Sequence, residues 1–243
     1  MQSAEANLRQ PVASASRASA PLSENNSQPE ARSCIYEISH PVEWGERQEG
    51  MGGEMLRVGI IVGSTRPGRK AAAVANWAYD ILKSRKDAEF EVIDIEDYKL
   101  PLLDEPVPPS MGQYSKGHTK KWSAKIDSLD AYIFVTPEYN HSTSAALKNA
   151  IDFLFREWNN KAAGFVGYGG AGGVRAVESL RLVMGEIKVA DVRTQVILSL
   201  YTDFENFTTF KPHEHHDKAV HAMADEVVAW GGALKRLREV AGK

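Results

Sequence analysis

A chain of 243 residues with 43% hydrophobic and 25% charged side chains has the length and composition of one globular domain with room for extensions. A formal net charge of −3 shows no basic excess, so nucleic acid is not an expected partner. No run approaches the roughly 18–20 apolar residues of a membrane helix, and the N-terminus lacks the apolar core of a secretory signal, so no membrane association is expected. The single cysteine, Cys34, rules out an intramolecular disulfide and suits a reducing, cytoplasmic setting.

Residues 1–54 are rich in Ser, Ala, Gln and Asn, with no apolar period. They read as a disordered N-terminal extension, or as sequence upstream of a start nearer Met51 or Met55, because they bury too little to offset their ordering entropy. Arg9, Arg17 and Arg32 suggest a transit peptide, but Glu5, Glu24 and Glu30 argue against one. The short CIYEI run (34–38) has the composition of a weak strand, and Cys34 reads as an incidental thiol.

The character changes at Arg57, and residues 55–243 read as one folded domain. RVGIIVG (57–63) is a β-branched run apolar on both faces, as a strand in a covered parallel sheet should be. KAAAVANWAYDILKS (70–84) reads as a helix with Val74, Trp77, Ala78, Ile81 and Leu82 on one face. FEVIDI (90–95) is a second strand. The Pro-rich stretch 98–117 is a long loop of the kind that usually serves function. HTKKWSAKIDSLD (118–130) is a helix with Trp122, Ile126 and Leu129 at core spacing, and AYIFVT (131–136) is a third strand, stopped by Pro137. A helix at 144–155, a strand at 161–169, a helix at 173–187, a strand at 193–200 and a last helix at 216–240 complete the pattern.

Five strands alternating with helices imply an α/β three-layer sandwich, a parallel sheet with helices on both faces. The strand order 2-1-3-4-5 is the flavodoxin-like choice, and it opens a ligand crevice where strands one and three diverge. The chemistry is therefore expected in the loops that follow the strands.

Three loops carry candidate residues. In GSTRPGRK (63–70), the helix-start amides, the hydroxyls of Ser64 and Thr65, and the guanidinium groups of Arg66 and Arg69 suit a phosphate. The alternative is an N-capped helix with solvated arginines. The Gly63–Gly68 spacing matches a P-loop, but Arg69 and Lys70 stand where its Lys and hydroxyl belong, which argues against nucleotide hydrolysis. In TPEYNHS (136–142), Pro137, Glu138, Tyr139 and Asn140 offer a ring, an amide and backbone donors for a flat heteroaromatic ligand. Glu138 is also a candidate ion-pair partner for Arg66 or Arg69, and His141 a possible acid or base, though a lone loop histidine is more often structural. In GYGGAGG (167–173), Tyr168, Gly169, Gly170 and Gly173 sit in a backbone able to approach a flat ring closely. This loop also fits G-x-G-x-x-G, but after the fourth strand rather than the first.

GSTRPGR, PEYNHSTSAALKNAIDFL and GYGGAGGVRAVESLR resemble, in order and spacing, the NADPH-dependent FMN reductases, with their azoreductase, quinone reductase and chromate reductase relatives. The similarity covers about residues 57–210. It implies non-covalent FMN, with Ser64 and Arg66 on the phosphate, aided by Thr65 and Arg69. It places 137–140 and 168–170 on the ribityl chain and ring. The family loop often has Ser or Asn where Arg69 and Lys70 stand here. The resemblance further implies a homodimer or homotetramer and flavin-based catalysis without a protein nucleophile or metal. NADPH or NADH would pass a hydride to the flavin, and a small-molecule acceptor would then take the same place, in a ping-pong reaction.

Two features fall outside that pattern. HEHH (213–216) reads as a solvated loop and helix start rather than a metal site. Trp158 and YTDFENFTTF (201–210) are either core packing or a subunit surface completing the flavin pocket. The rival functions are a flavodoxin-like electron carrier, a dinucleotide dehydrogenase using the 167–173 loop, and a flavin-sensing regulatory protein. The weak net charge and the arginines of the first loop argue against the carrier.

Overall fold

The structure is a computed structural model, and it describes residues 55–242. The expected disordered extension, Cys34 and the CIYEI run lie outside the described residues. Five parallel strands run in the order β2-β1-β3-β4-β5: β1 Leu56–Val62, β2 Ala88–Asp94, β3 Ala131–Pro137, β4 Lys161–Gly169 and β5 Val189–Ser199. The connecting helices are α1 Ala71–Leu82, α2 Gly117–Asp127, α3 Ala145–Asp152 and α4 Val174–Glu186. A small antiparallel hairpin, β6 Phe204–Glu205 and β7 Thr209–Phe210, precedes the long α5 His215–Val240. This is the flavodoxin-like order expected from the sequence.

Strand periodicity divides the core into two layers. Val58, Ile60 and Val62 of β1, with Ile133 and Val135 of β3, face Val74 and Ala75 of α1 and Met223 and Val227 of α5. Ile61, Tyr132, Phe134 and Phe165 face α2, α3 and α4. Successive side chains on a strand point to opposite faces, so an unbroken apolar run is needed when both faces are covered. The second layer is aromatic. Trp158 is fully buried against Tyr132, with ring centroids 4.9 Å apart, and its indole N–H donates to the Ile151 carbonyl at 3.1 Å. Trp158 is therefore core, not a subunit surface.

Among the boundaries that differ from the sequence reading, three have a clear physical cause. β3 runs through Pro137, which stays in register with Tyr168. The missing proline donor falls at the strand end, where the Glu138 amide continues the pairing by donating to the Tyr168 carbonyl at 3.1 Å. β5 begins at Val189, four residues early, because an edge strand tolerates polar side chains; there Asp191 pairs with Arg181 of α4. α3 ends at Asp152, and the following turns bury Phe153, Leu154 and Trp158.

The long loop between β2 and α2 is anchored at both ends. Its two short 3-10 turns are Ile95–Tyr98 and Pro109–Met111. Asn149 of α3 accepts from the Leu103 amide at 3.0 Å and donates to the Pro101 carbonyl at 2.7 Å. Glu105 accepts from the amides of Ser115 and Lys116, at 2.8 and 2.9 Å, and so caps α2 from a distance in sequence. Burial acts to raise the Glu105 pKa, but those amides and the Ser115 hydroxyl hold it at about 2.

Candidate active site

The carboxyl ends of the strands form one end of the sheet, and the switch point lies between β1 and β3. There the Gly63 amide donates to the Val135 carbonyl at 2.8 Å, and the Ser144 hydroxyl donates to the Gly63 carbonyl at 2.6 Å. The same hydroxyl accepts from the Leu147 amide at 3.0 Å, capping α3. One serine thus locks the first loop to the third helix.

The first loop then makes a turn at Arg66, Pro67, Gly68 and Arg69, closed by the Arg69 amide donating to the Arg66 carbonyl at 2.9 Å. Proline at the second position and a glycine at φ +71 in the third give a type II turn its sequence. α1 starts two residues later, and no side chain caps it. The side-chain cap of the alternative reading is thus absent, although Arg66 is exposed as that reading expects, and the first-turn amides of α1 have no side-chain cap.

The second loop is a two-residue reversal. Tyr139 and Ser142 exchange backbone hydrogen bonds at 2.9 and 3.2 Å, and both Asn140 and His141 have positive φ, +48 and +73. That is the type I′ pattern, for which asparagine is well suited. The turn holds Tyr139 inward, with its hydroxyl 3.3 Å from the Ser64 hydroxyl and its ring under the Arg66 guanidinium at 5.9 Å. Asn140 and His141 lie exposed at the tip.

These loops enclose a cavity of about 280 Å³, walled by Arg66, Arg69, Lys70, Tyr139, Tyr168 and Phe207. Pro137, Glu138 and Gly169 also line it. Seven of the expected residues thus meet at one cavity: Arg66, Arg69, Pro137, Glu138, Tyr139, Tyr168 and Gly169. Ser64 lies buried behind it, and its hydroxyl accepts from the Arg66 amide at 3.4 Å. Thr65 lines a separate hollow with Ala146 and Asn149. Gly170 is exposed beside Tyr201. Gly173 is buried under β4, where a Cβ would lie 2.4 Å from the Tyr168 amide nitrogen.

The charges are arranged differently from the sequence expectation. Glu138 does not pair with Arg66 or Arg69. Its buried carboxylate is held by Arg175 at the start of α4, through the Nε at 2.6 Å and the backbone amide at 3.1 Å. Arg69 is fixed by Asp94, at 2.5 Å, and by Glu96. Burial acts to lower its pKa, but those two carboxylates outweigh it and raise the value. Arg66 is the exposed arginine of the loop, over the tyrosine ring. The Tyr168 hydroxyl is buried near the Ala71 amide without a formed hydrogen bond, and burial pushes its pKa up.

Residues 56–203 match the family described as NADPH-dependent FMN reductase. The chain belongs to the NADPH-dependent FMN reductase family. It is 42% identical over 159 residues to an NAD(P)H-dependent FMN reductase of a Nectria species, covering 61% of this chain and 79% of that one. A Schizosaccharomyces pombe NAD(P)H-dependent FMN reductase is 34% identical over 186 residues, with 76% of this chain and 86% of that one covered. Among solved structures, a flavoenzyme NAD(P)H:(acceptor) oxidoreductase from Paracoccus denitrificans superposes with a TM-score of 0.58 at 21% identity, over 74% of this chain and 98% of that one. That last likeness concerns the fold alone.

As a member of this family the protein is an oxidoreductase. Two parts of its site were not legible as such in the sequence. Phe207 reaches the cavity because the β6–β7 hairpin packs on Tyr168 and Trp77 through Phe204 and Phe210. Its signal was the aromatic run 201–210, which left core and surface undecided. Arg175 was readable only as part of a helix start, since the carboxylate it holds is 37 residues away in the chain.

Proposed function

We propose that this chain is an FMN-dependent NAD(P)H oxidoreductase that reduces small quinone, azo, chromate or flavin acceptors in two half-reactions at one site. The observation that carries the reading is the polarity of the cavity. An uncapped helix N-terminus with Arg66 and Lys70 lines it together with the rings of Tyr139 and Tyr168. A phosphate joined to a flat conjugated ring suits that pairing of anion site and aromatic wall. The fit is supported by two buried polar atoms without hydrogen-bond partners beside this cavity, the Arg69 Nε and the Tyr168 hydroxyl.

In this reading Arg66, with Ser64 behind it and the α1 amides, holds the phosphate. Arg69, already neutralised by Asp94 and Glu96, orients the loop and adds field rather than free charge. Thr65 reaches the phosphate through its backbone, since its side chain faces the neighbouring hollow. Residues 137–140 and 168–170, with Gly173 beneath, frame the ring. FMN held there would supply the redox chemistry, as a two-electron carrier between NAD(P)H and the acceptor. The balance is two electrons and one proton from the nicotinamide and a second proton from solvent. The protein's part is to orient both ring systems and shield them from water.

A homo-oligomer of the cytoplasm completes the proposal. The anchored loop exposes Leu102 and Met111, 84% and 52% accessible, and apolar side chains on an ordered loop suit a subunit contact. Among the described residues no helix is long and apolar enough to cross a membrane.

The test is the visible spectrum of the purified protein. Yellow protein that bleaches within seconds of adding NADPH or NADH without air, and recovers on adding a quinone, is the expected result. Protein that takes up no added FMN refutes the site. Bound flavin that reduced nicotinamide leaves oxidised refutes the reductase and favours an electron carrier or a flavin sensor.

A further inference from the structure

The turn between β6 and β7 places a bulky side chain in an unfavourable backbone conformation. Asn206 and Phe207 have φ of +50 and +57, and the turn is closed by the Thr208 amide donating to the Glu205 carbonyl at 3.0 Å. Asparagine tolerates this region; phenylalanine does so at a cost, and such outliers persist where surrounding structure imposes them. Phe207 is also 55% exposed while lining the cavity. Its ring meets Tyr201 edge-on, with centroids 5.4 Å apart, and Tyr201 is 71% exposed beside the open Gly170. Two large aromatic rings thus stand in solvent, touching each other, at the mouth of a cavity with Arg66 and Lys70 on its wall.

The base beneath them is rigid. The Leu200 amide donates to the Gly169 carbonyl at 3.0 Å, tying the segment to the cavity wall. Asp203 accepts from the Ser199 amide at 2.8 Å and from the Thr202 hydroxyl at 3.0 Å, and it meets His216 at 2.9 Å. Phe204 and Phe210 pack below, the latter edge-on to Trp77 of α1 at 5.5 Å. Segment 201–210 is therefore held in place, while its Tyr201 and Phe207 rings lack cover.

We infer that Tyr201 and Phe207 form an aromatic lip that selects the electron acceptor, favouring planar conjugated molecules that lie against these rings over compact acceptors that cannot stack. This rests on the reductase reading above and adds the residues that discriminate among its acceptors. The reaction balance is unchanged: a quinone takes two electrons and two protons, from NAD(P)H and solvent, to become a hydroquinone.

The test uses the flavin-loaded enzyme and compares 1,4-naphthoquinone, which is planar, with ferricyanide, a compact complex ion that accepts single electrons without stacking. Phe207→Gly removes the ring and suits the left-handed backbone, so it should fold. Tyr201→Ala removes the partner ring at an exposed position. Aromatic contacts are worth about 0.5–1.5 kcal/mol, so each variant should lower the ratio of kcat/KM for naphthoquinone to that for ferricyanide by roughly 2- to 13-fold. Tyr201→Phe, which keeps the ring, should leave the ratio near that of the parent. An unchanged ratio in both truncated variants overturns the inference, and so does a fall in the ratio accompanied by a change in sedimentation, which would make the lip a subunit contact. Either result leaves the reductase reading intact, whereas a parent enzyme that NAD(P)H does not reduce removes both.

Discussion

Gly68 and Gly173 have nearly the same φ, +71 and +72, but opposite surroundings, and this permits a paired test of how the site is built. At Gly68 a Cβ would meet nothing within 4 Å. At Gly173 it would lie 2.4 Å from the Tyr168 nitrogen and 2.7 Å from the Gly167 carbonyl carbon, both backbone atoms. Gly68→Ala should therefore cost only the left-handed penalty, about 1–2 kcal/mol. Gly173→Ala incurs that penalty and must also push α4 and the end of β4 apart. The displacement threatens the Glu138–Tyr168 backbone bond and the Glu138 carboxylate contacts with Arg175. At about 0.5–1.5 kcal/mol for a neutral hydrogen bond and 1.5–3 for a charged one, the total is roughly 3–6 kcal/mol. For a domain of this size that corresponds to Tm falling by about 2–8 °C for Gly68→Ala and by roughly 6–24 °C for Gly173→Ala. Thermal unfolding of the two variants side by side, followed by circular dichroism, measures the difference. Equal losses would refute the claim that Gly173 is required by close backbone approach rather than by its dihedral alone.

The same geometry gives three further expectations. Ser144→Ala removes the α3 cap and strands the buried Gly63 carbonyl, so stability should fall by about 2–4 kcal/mol and the urea midpoint by roughly 1 M, read from equilibrium unfolding. Arg66→Ala should weaken FMN retention by about 10-fold or more without lowering Tm in the flavin-free protein, because the exposed Arg66 guanidinium lies over the Tyr139 ring rather than on a carboxylate; flavin fluorescence titration decides. Glu105 has its pKa lowered from 4.5 to about 2, so its hold on α2 is complete above its ordinary range and is lost as pH falls through that interval. Proteolysis of the 98–117 loop by pepsin should accelerate across that window, and Glu105→Gln should show the faster cutting already at its upper end.

Patterns local to a segment were legible in the sequence, because a strand covered on both faces has to be apolar throughout. β1, β3 and β4 could be read from that alone, and α/β alternation then restricted the order of the sheet and the end at which a ligand would sit. The turn at Arg66–Arg69 and the Ser144 cap are local in the same sense, since their conformations depend on residue types a few positions apart. β5 was read short because an edge strand's Asp191 is stabilised by Arg181, on another element. Trp158 could not be assigned to core or surface until Tyr132 and Phe134 were placed beside it. The charge partners depended most on the tertiary structure: Glu138 turned to Arg175, Arg69 to Asp94 and Glu96, and Phe207 came over the cavity. Ion pairs and ring contacts act over a few ångströms of space with no regard for chain separation, so the sequence determined which chemical groups the loops carry, and only the folded chain decided which of them face one another.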